Sequence, residues 1–146
     1  MIREAVASDL DTLLELYLHL HETGIPEDGA RLRAAWAKIM ADPDHHIIVC
    51  ERGGRIVASC ACVVVPNLTR GARPYALIEN VVTHRDHRRR GCATRCLDRA
   101  REIARAAGCY KIMLMTGAKD AATLDFYRRA GFDDKAKTAF IQRLED

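Results

Sequence analysis

The 146-residue sequence has no apolar stretch long enough to cross a membrane. Its longest, Ile56–Pro66, is interrupted by Ser59 and is about half of what a spanning helix needs. Met1-Ile-Arg-Glu-Ala has neither the apolar core nor the cleavage site of a secretion signal, so a cytoplasmic protein is expected. Serine, glutamine and proline tracts are also missing, which excludes a disordered or repetitive chain. The six cysteines (Cys50, Cys60, Cys62, Cys92, Cys96 and Cys109) contain no Cys-x-x-Cys pair and sit within apolar strands or helix faces; reduced, buried thiols are expected. His45 with His46, and His84 with His87, lack companion ligands at useful spacing, so no metal site is expected. The net charge of +3 is too small to argue for a nucleic-acid partner.

What remains is a globular chain, 49% hydrophobic and 29% charged, of a size that buries one core. A single domain over residues 1–146 is expected. Met1–Val6 reads as a strand, followed by a helix capped by Ser8 with a stripe of Leu10, Leu13, Leu14, Tyr17 and Leu20. A second helix is expected from about Ala30 to Met40. Two β-rich runs, Ile47–Glu51 and Ile56–Val65, flank Arg52-Gly53-Gly54-Arg55, a strong hairpin signal. A fourth strand over Tyr75–Thr83 leads to a helix over Cys92–Ala107 that Gly108 should stop. Tyr110–Thr116 reads as a fifth strand, Asp120–Arg129 as a short helix ended by Gly131, and Phe132–Gln142 as a last strand. The order β-α-α-β-β-β-α-β-α-β makes an α/β sandwich around a mixed sheet, with a right-handed crossover at its centre.

The most informative stretch is Ile78–Ala93, where an apolar strand meets a helix start through a basic turn. Helix starts present backbone N–H groups without intrahelical partners and the positive end of the dipole, and so bind phosphate. Gly91 and Ala93 allow close approach, and Arg88, Arg89 and Arg90 add positive charge; the alternative is a solvated charge run.

The pattern Arg88-x-x-Gly91-x-Ala93 resembles the acyl-CoA signature of the GNAT (GCN5-related) N-acetyltransferases, Arg/Gln-x-x-Gly-x-Gly/Ala, and the element order is also that of the family. The resemblance implies a GNAT fold with acetyl-CoA as acyl donor. In that family the fourth and fifth strands splay apart, and the pantetheine arm pairs with exposed backbone of the fourth; Val81, Val82 and Thr83 match those positions. Arg88, Arg89, Arg90, Gly91, Cys92, Ala93 and Thr94 would then hold the diphosphate. Ile78-Glu-Asn-Val-Val and Gly108-Cys-Tyr-Lys-Ile-Met-Leu look most like the glucosamine-phosphate N-acetyltransferases, which implies a possible homodimer. An exposed final strand would offer it an edge.

Acyl transfer to an amine needs a base for the ammonium proton and an acid for the departing thiolate. Glu79 lies two residues before Val81, so strand alternation puts both side chains on one face; it is a candidate base, or else a sheet-margin glutamate paired with an arginine. Tyr127, within Asp125-Phe-Tyr-Arg-Arg-Ala-Gly-Phe132, matches the family tyrosine whose hydroxyl points at the thiol sulfur. Its alternative is a core aromatic with the hydroxyl at the surface. Phe126 beside it is a second candidate cofactor contact, or a core residue. Asp120 stands where many family members carry a cofactor-contacting asparagine. Arg70 and Arg73, in the loop before the fourth strand, are candidates to hold a phosphate or carboxylate on the acceptor, or are solvated loop arginines.

The function expected is direct N-acetylation of a small-molecule primary amine, with no metal. A CoA-binding sensor or interaction module on the same fold is the alternative. Nucleic-acid binding through Arg85–Arg90 is a third reading, disfavoured because few aromatics accompany the basic run.

Overall fold

A computed structural model of the chain describes residues 1–20, 22, 24–27 and 29–145. Two compact units are present, Met1–Leu114 and Met115–Asp146. The first carries β1 (Ile2–Glu4), α1 (Leu10–Tyr17), α2 (Ala30–Ala41), β2 (His45–Arg52), β3 (Arg55–Val65), β4 (Tyr75–Thr83), α3 (Cys92–Ala106) and β5 (Ile112–Leu114); the second carries α4 (Ala121–Arg129). The strands form one sheet in the order β1-β2-β3-β4-β5, antiparallel except for the parallel pair β4–β5, which α3 connects. That mixed α/β architecture, the bounds of β4 and the start of α3 agree with the sequence reading.

Local chemistry explains the turns. Gly53 and Gly54 both hold left-handed φ, 55° and 76°, as a type I′ hairpin requires. Gly108, at φ 79°, closes α3 with bonds from its own N–H to the Arg105 carbonyl and from the Cys109 N–H to the Ala104 carbonyl.

The sheet is covered on both faces. Leu13 and Leu16 of α1 pack with Ile47, Val49, Ile56, Ala61 and Val82, joined by Trp36, Ile39 and Met40. The apolar face of α3 buries Cys92, Cys96, Leu97, Ala100 and Ala104. All six cysteines are free, and all but Cys109 are fully buried. Burial pushes the Cys60 thiol up to about 12 and Cys62 to about 11, so both stay protonated and inert.

Three expectations need correction. Ser8 does not cap the first helix. It sits in a 3-10 turn at Ala7–Asp9, and the buried Asp9 carboxylate accepts from the Val6 N–H and the Arg3 guanidinium instead. The fifth strand shrinks to Ile112–Leu114, as long as its ladder with β4. Phe132–Gln142 forms no strand, which removes the expected final edge. Charged Asp133, Asp134, Lys135 and Lys137 crowd that segment, Asp134 is turned back to Arg128 at 2.7 Å, and residues 133–145 are exposed. In the second unit, α4 ends as the sequence indicates: Gly131 at φ 99° lets its own N–H reach the Arg128 carbonyl and the Phe132 N–H reach the Tyr127 carbonyl.

Candidate active site

The site grows out of β4. Along its first half the strand is paired on both sides, with β5 opposite Ala76, Leu77 and Ile78. Beyond Ile78 the β5 ladder stops, and residues 79–83 keep only β3 as a strand neighbour among the described residues. A strand edge left open in this way offers backbone N–H and C=O groups to an extended ligand.

At the same point β4 carries a bulge. Ser59 faces Val82 and Ala61 faces Glu79, so Asn80 and Val81 together oppose Cys60. Asn80 adopts φ 53°, a left-handed conformation that asparagine tolerates better than most residues. The extra residue breaks the alternation on which a shared face for Glu79 and Val81 rested. Because directly opposed residues share a face, Glu79 projects with Ala61, and so on the face of Val82 rather than of Val81. Glu79 is exposed and makes no hydrogen bond or ion pair among the described residues, so the glutamate–arginine pair weighed as its alternative is absent.

After Thr83 the chain passes through a 3-10 turn, Arg85–His87, fixed by the Asp86 N–H donating to His84 Nδ1 at 3.1 Å. Arg89 (φ 61°) and Gly91 (φ 76°, ψ 8°) then bend it into α3. Gly91 is the N-cap residue and supplies no side chain. Among the described residues the N–H groups of Cys92, Ala93 and Thr94 find no acceptor, while the next one, Arg95, bonds the Gly91 carbonyl at 3.0 Å. The surroundings are cationic. Arg88 donates to the Thr83 and His19 carbonyls, both at 3.4 Å; Arg52, from the β2–β3 hairpin, donates to the Arg90 carbonyl at 3.2 Å. Arg85, Arg88, Arg89 and Arg90 are exposed and have no carboxylate partner among the described residues. Open N–H groups, a helix dipole, four guanidiniums without a carboxylate partner among the described residues and no Cβ on Gly91 fit a diphosphate. The Cys92 side chain is 2% exposed, so that residue offers its backbone and not its thiol.

Arg70 and Arg73 sit at the other end of β4. Their guanidinium carbons lie 5.6 and 5.8 Å from the Tyr110 ring centroid, and Lys111 Nζ stands 5.2 Å from the same ring and 5.4 Å from Tyr75. Sequence reasoning singled out the two arginines but missed Tyr110 and Lys111, which lie far along the chain from the loop and just before β5. It also missed Arg52, for which a hairpin turn gave no functional signal.

The remaining candidates belong to the second unit. Asp120 caps α4, its Oδ2 accepting from the Thr123 N–H (3.0 Å) and hydroxyl (2.9 Å); these bonds hold its carboxyl below the usual carboxylate range. Tyr127 is half-buried, its ring 5.1 Å from Phe126 and 6.3 Å, edge-on, from Phe132.

Comparison with known proteins identifies the family and the fold. Residues 10–132 match the profile of a family described as "Acetyltransferase (GNAT) family". Among curated proteins, glucosamine 6-phosphate N-acetyltransferase of Trypanosoma brucei brucei is 34% identical over 132 residues, covering 90% of this chain and 87% of its own. Among solved structures, one from Agrobacterium tumefaciens assigned to the acetyltransferases has a TM-score of 0.88 at 42% identity, covering 98% of this chain and 99% of its own. Another, named as a transcriptional regulator of Bacillus halodurans, reaches 0.85 at 25% identity with the same coverage.

Proposed function

Because the chain belongs to the acetyltransferase (GNAT) family and is an acyltransferase, we propose that it transfers an acetyl group from acetyl-CoA to the primary amine of a small molecule, by direct attack in a ternary complex. The observation that carries the reading is the start of α3, where open N–H groups meet arginines that have no carboxylate partner among the described residues. Residues 88–94 bind the diphosphate there through main-chain amides and flanking arginine charge. The open edge at Val81, Val82 and Thr83 pairs with the pantetheine arm as a further strand would, and the bulge at Asn80 marks where the thioester end lies.

Bound acetyl-CoA supplies an activated acyl group; the acid–base work falls to side chains. Glu79 takes the ammonium proton, directly or through a water. Its exposure and lack of a partner among the described residues leave the carboxylate available. Tyr127 donates its phenolic proton to the leaving sulfur, a role supported by its motif. Phe126 and Asp120 remain the second unit's candidate cofactor contacts by motif; Asp120 acts chiefly as the cap of α4, its carboxylate already being engaged. A covalent route is disfavoured: Cys92 is buried, and burial raises the Cys109 thiol above its ordinary pKa.

Residues 1–146 are read as one acetyltransferase domain. No helix among the described residues is long and apolar enough to cross a membrane, and the free, mostly buried thiols suit a reducing cytoplasm. Exposed Phe140, Ile141 and Leu144 support a homodimer that covers them. The relative's substrate, glucosamine 6-phosphate, supports a small amine rather than a peptide as acceptor. The Bacillus neighbour's description favours one second reading, a CoA-binding sensor on the same fold.

A thiol-release assay with acetyl-CoA across amino sugars, amino acids, polyamines and peptides separates the two. An enzyme acetylates at least one class, and Glu79→Gln and Tyr127→Phe each lower kcat by about 10²- to 10³-fold while CoA affinity holds. Tight CoA binding with no turnover on any amine would leave only the sensor.

A further inference from the structure

The hairpin between β2 and β3 carries a feature that folding alone does not explain. Arg52 and Arg55 stand directly opposite each other across its two-residue turn. Opposed residues share a face of the ladder, and like charges placed so are destabilising. Among the described residues neither arginine has a carboxylate partner, and Glu51 beside them is turned to Arg3 at 2.6 Å. A neutral pair would close the same turn at less cost, since Gly53 and Gly54 set its backbone.

Both arginines meet the phosphate loop, one at each end of it. Arg52 Nη2 donates to the Arg90 carbonyl at 3.2 Å, beside the start of α3, and its remaining N–H groups meet no acceptor among the described residues. Arg55 lies within electrostatic range of His84, at the end of β4, where the His84 N–H also donates to the Val57 carbonyl at 2.8 Å. Between the two in the chain are Gly53 and Gly54, each with open space where a Cβ would sit. The one carboxylate among residues 84–91, Asp86, is exposed and lies 3.9 Å from His84 Nδ1.

We infer that Arg52 and Arg55 form a subsite for the 3′-phosphate of coenzyme A, so that the protein selects the 3′-phosphorylated cofactor over its dephospho form. The inference rests on the reading in which residues 88–94 hold the diphosphate. Charge and connectivity set the ligand group. The amides of α3, with Arg88, Arg89 and Arg90, already match the diphosphate, which leaves the hairpin pair for a further anion. Coenzyme A has one other, a phosphate monoester with a charge of about −2 at neutral pH, on the ribose that carries the diphosphate. Two guanidinium forks suit the oxygens of such a group, and its charge offsets the repulsion between the two arginines.

Calorimetry with CoA and with 3′-dephospho-CoA reads the subsite without turnover, in the wild type, in Arg52→Gln/Arg55→Gln and in Arg55→Gln. The wild type should bind CoA about 30- to 100-fold more tightly than dephospho-CoA, and the double substitution should bring the two within about 3-fold, with the loss falling on CoA. Arg55→Gln alone keeps the brace from Arg52 to the Arg90 carbonyl, and should cut the preference by about 5- to 10-fold in an intact fold. Arg105→Gln, in the last turn of α3, removes the same charge and should leave the preference unchanged. Equal affinity of the wild type for the two cofactors would overturn the subsite while the diphosphate reading stands. So would a like loss in Arg105→Gln, or a loss shared equally by CoA and dephospho-CoA, because a brace for the loop or a general attraction for polyanions acts on both alike. Binding of neither cofactor would overturn both readings.

Discussion

Two helix starts in this molecule solve the same problem in opposite ways. The first N–H groups of any helix need acceptors from outside it. At α4, Asp120 supplies one: its carboxylate takes the Thr123 N–H as well as the Thr123 hydroxyl. At α3, Gly91 supplies no side chain, the N–H groups of Cys92, Ala93 and Thr94 have no acceptor among the described residues, and arginines rather than carboxylates stand nearby. A helix that caps itself has no room left for a phosphate; one that leaves its donors open keeps a place for an anion. The difference lies in one residue at each N-cap, and the same contrast separates a structural helix from a binding one.

Exchanging the two solutions should break the comparison. Gly91→Asp puts a carboxylate at the mouth of α3, where asparagine-like residues tolerate the left-handed φ and the aspartate competes for the open amides. CoA affinity should fall by about 100-fold or more in calorimetry, with little change in thermal midpoint. The reciprocal change, Asp120→Ala, should lower the thermal midpoint by a few degrees, roughly what loss of an N-cap brings, and leave CoA affinity nearly intact. The sign of its pH dependence follows from the depressed Asp120 carboxyl. That group's contribution is complete above the ordinary carboxylate pKa, near pH 4, and is lost as pH falls through its lower folded value. The stability difference between wild type and Asp120→Ala should therefore narrow in acid.

A smaller effect sharpens the same contrast. His84 stacks on His19 with ring centroids 4.1 Å apart and meets His87 at 5.6 Å, with Asp86 3.9 Å away and Arg55 within electrostatic range. Burial, then His19, hold its pKa below the ordinary imidazole value, with Asp86 opposing and Arg55 and His87 adding to the depression. The neutral ring therefore favours folding above about pH 6.5, and that contribution fades as pH falls through the lowered value. A polyanion at α3 raises this pKa. CoA binding near pH 6 should then take up protons, read as a binding enthalpy that changes with buffer ionisation heat in the wild type and much less in His84→Gln.

The parts of the site that were legible in the sequence are those written in consecutive residues. Arg88-x-x-Gly91-x-Ala93 placed the turn and the start of α3, and the paired glycines at 53 and 54 placed the hairpin. Gly108 and Gly131 marked the two helix ends. The bulge at Asn80 was hidden because a β-rich run reads alike with or without one extra residue, and only pairing with β3 reveals it. Lys111 and the tyrosine pair were hidden for the same reason: they meet Arg70 and Arg73 only through the parallel β4–β5 ladder. The last strand failed because apolar residues at Phe140 and Ile141 suggested pairing, while the charges before them and the tie from Asp134 to Arg128 keep the segment out of a ladder.

The central claim, that the open amides of α3 hold a diphosphate, is tested most directly by following backbone amide resonances during a CoA titration. The account predicts that the Cys92, Ala93 and Thr94 N–H signals shift strongly and saturate together, while the Thr123 amide, already bonded to Asp120, stays still. Saturable CoA binding that leaves the three α3 amides unmoved would contradict it.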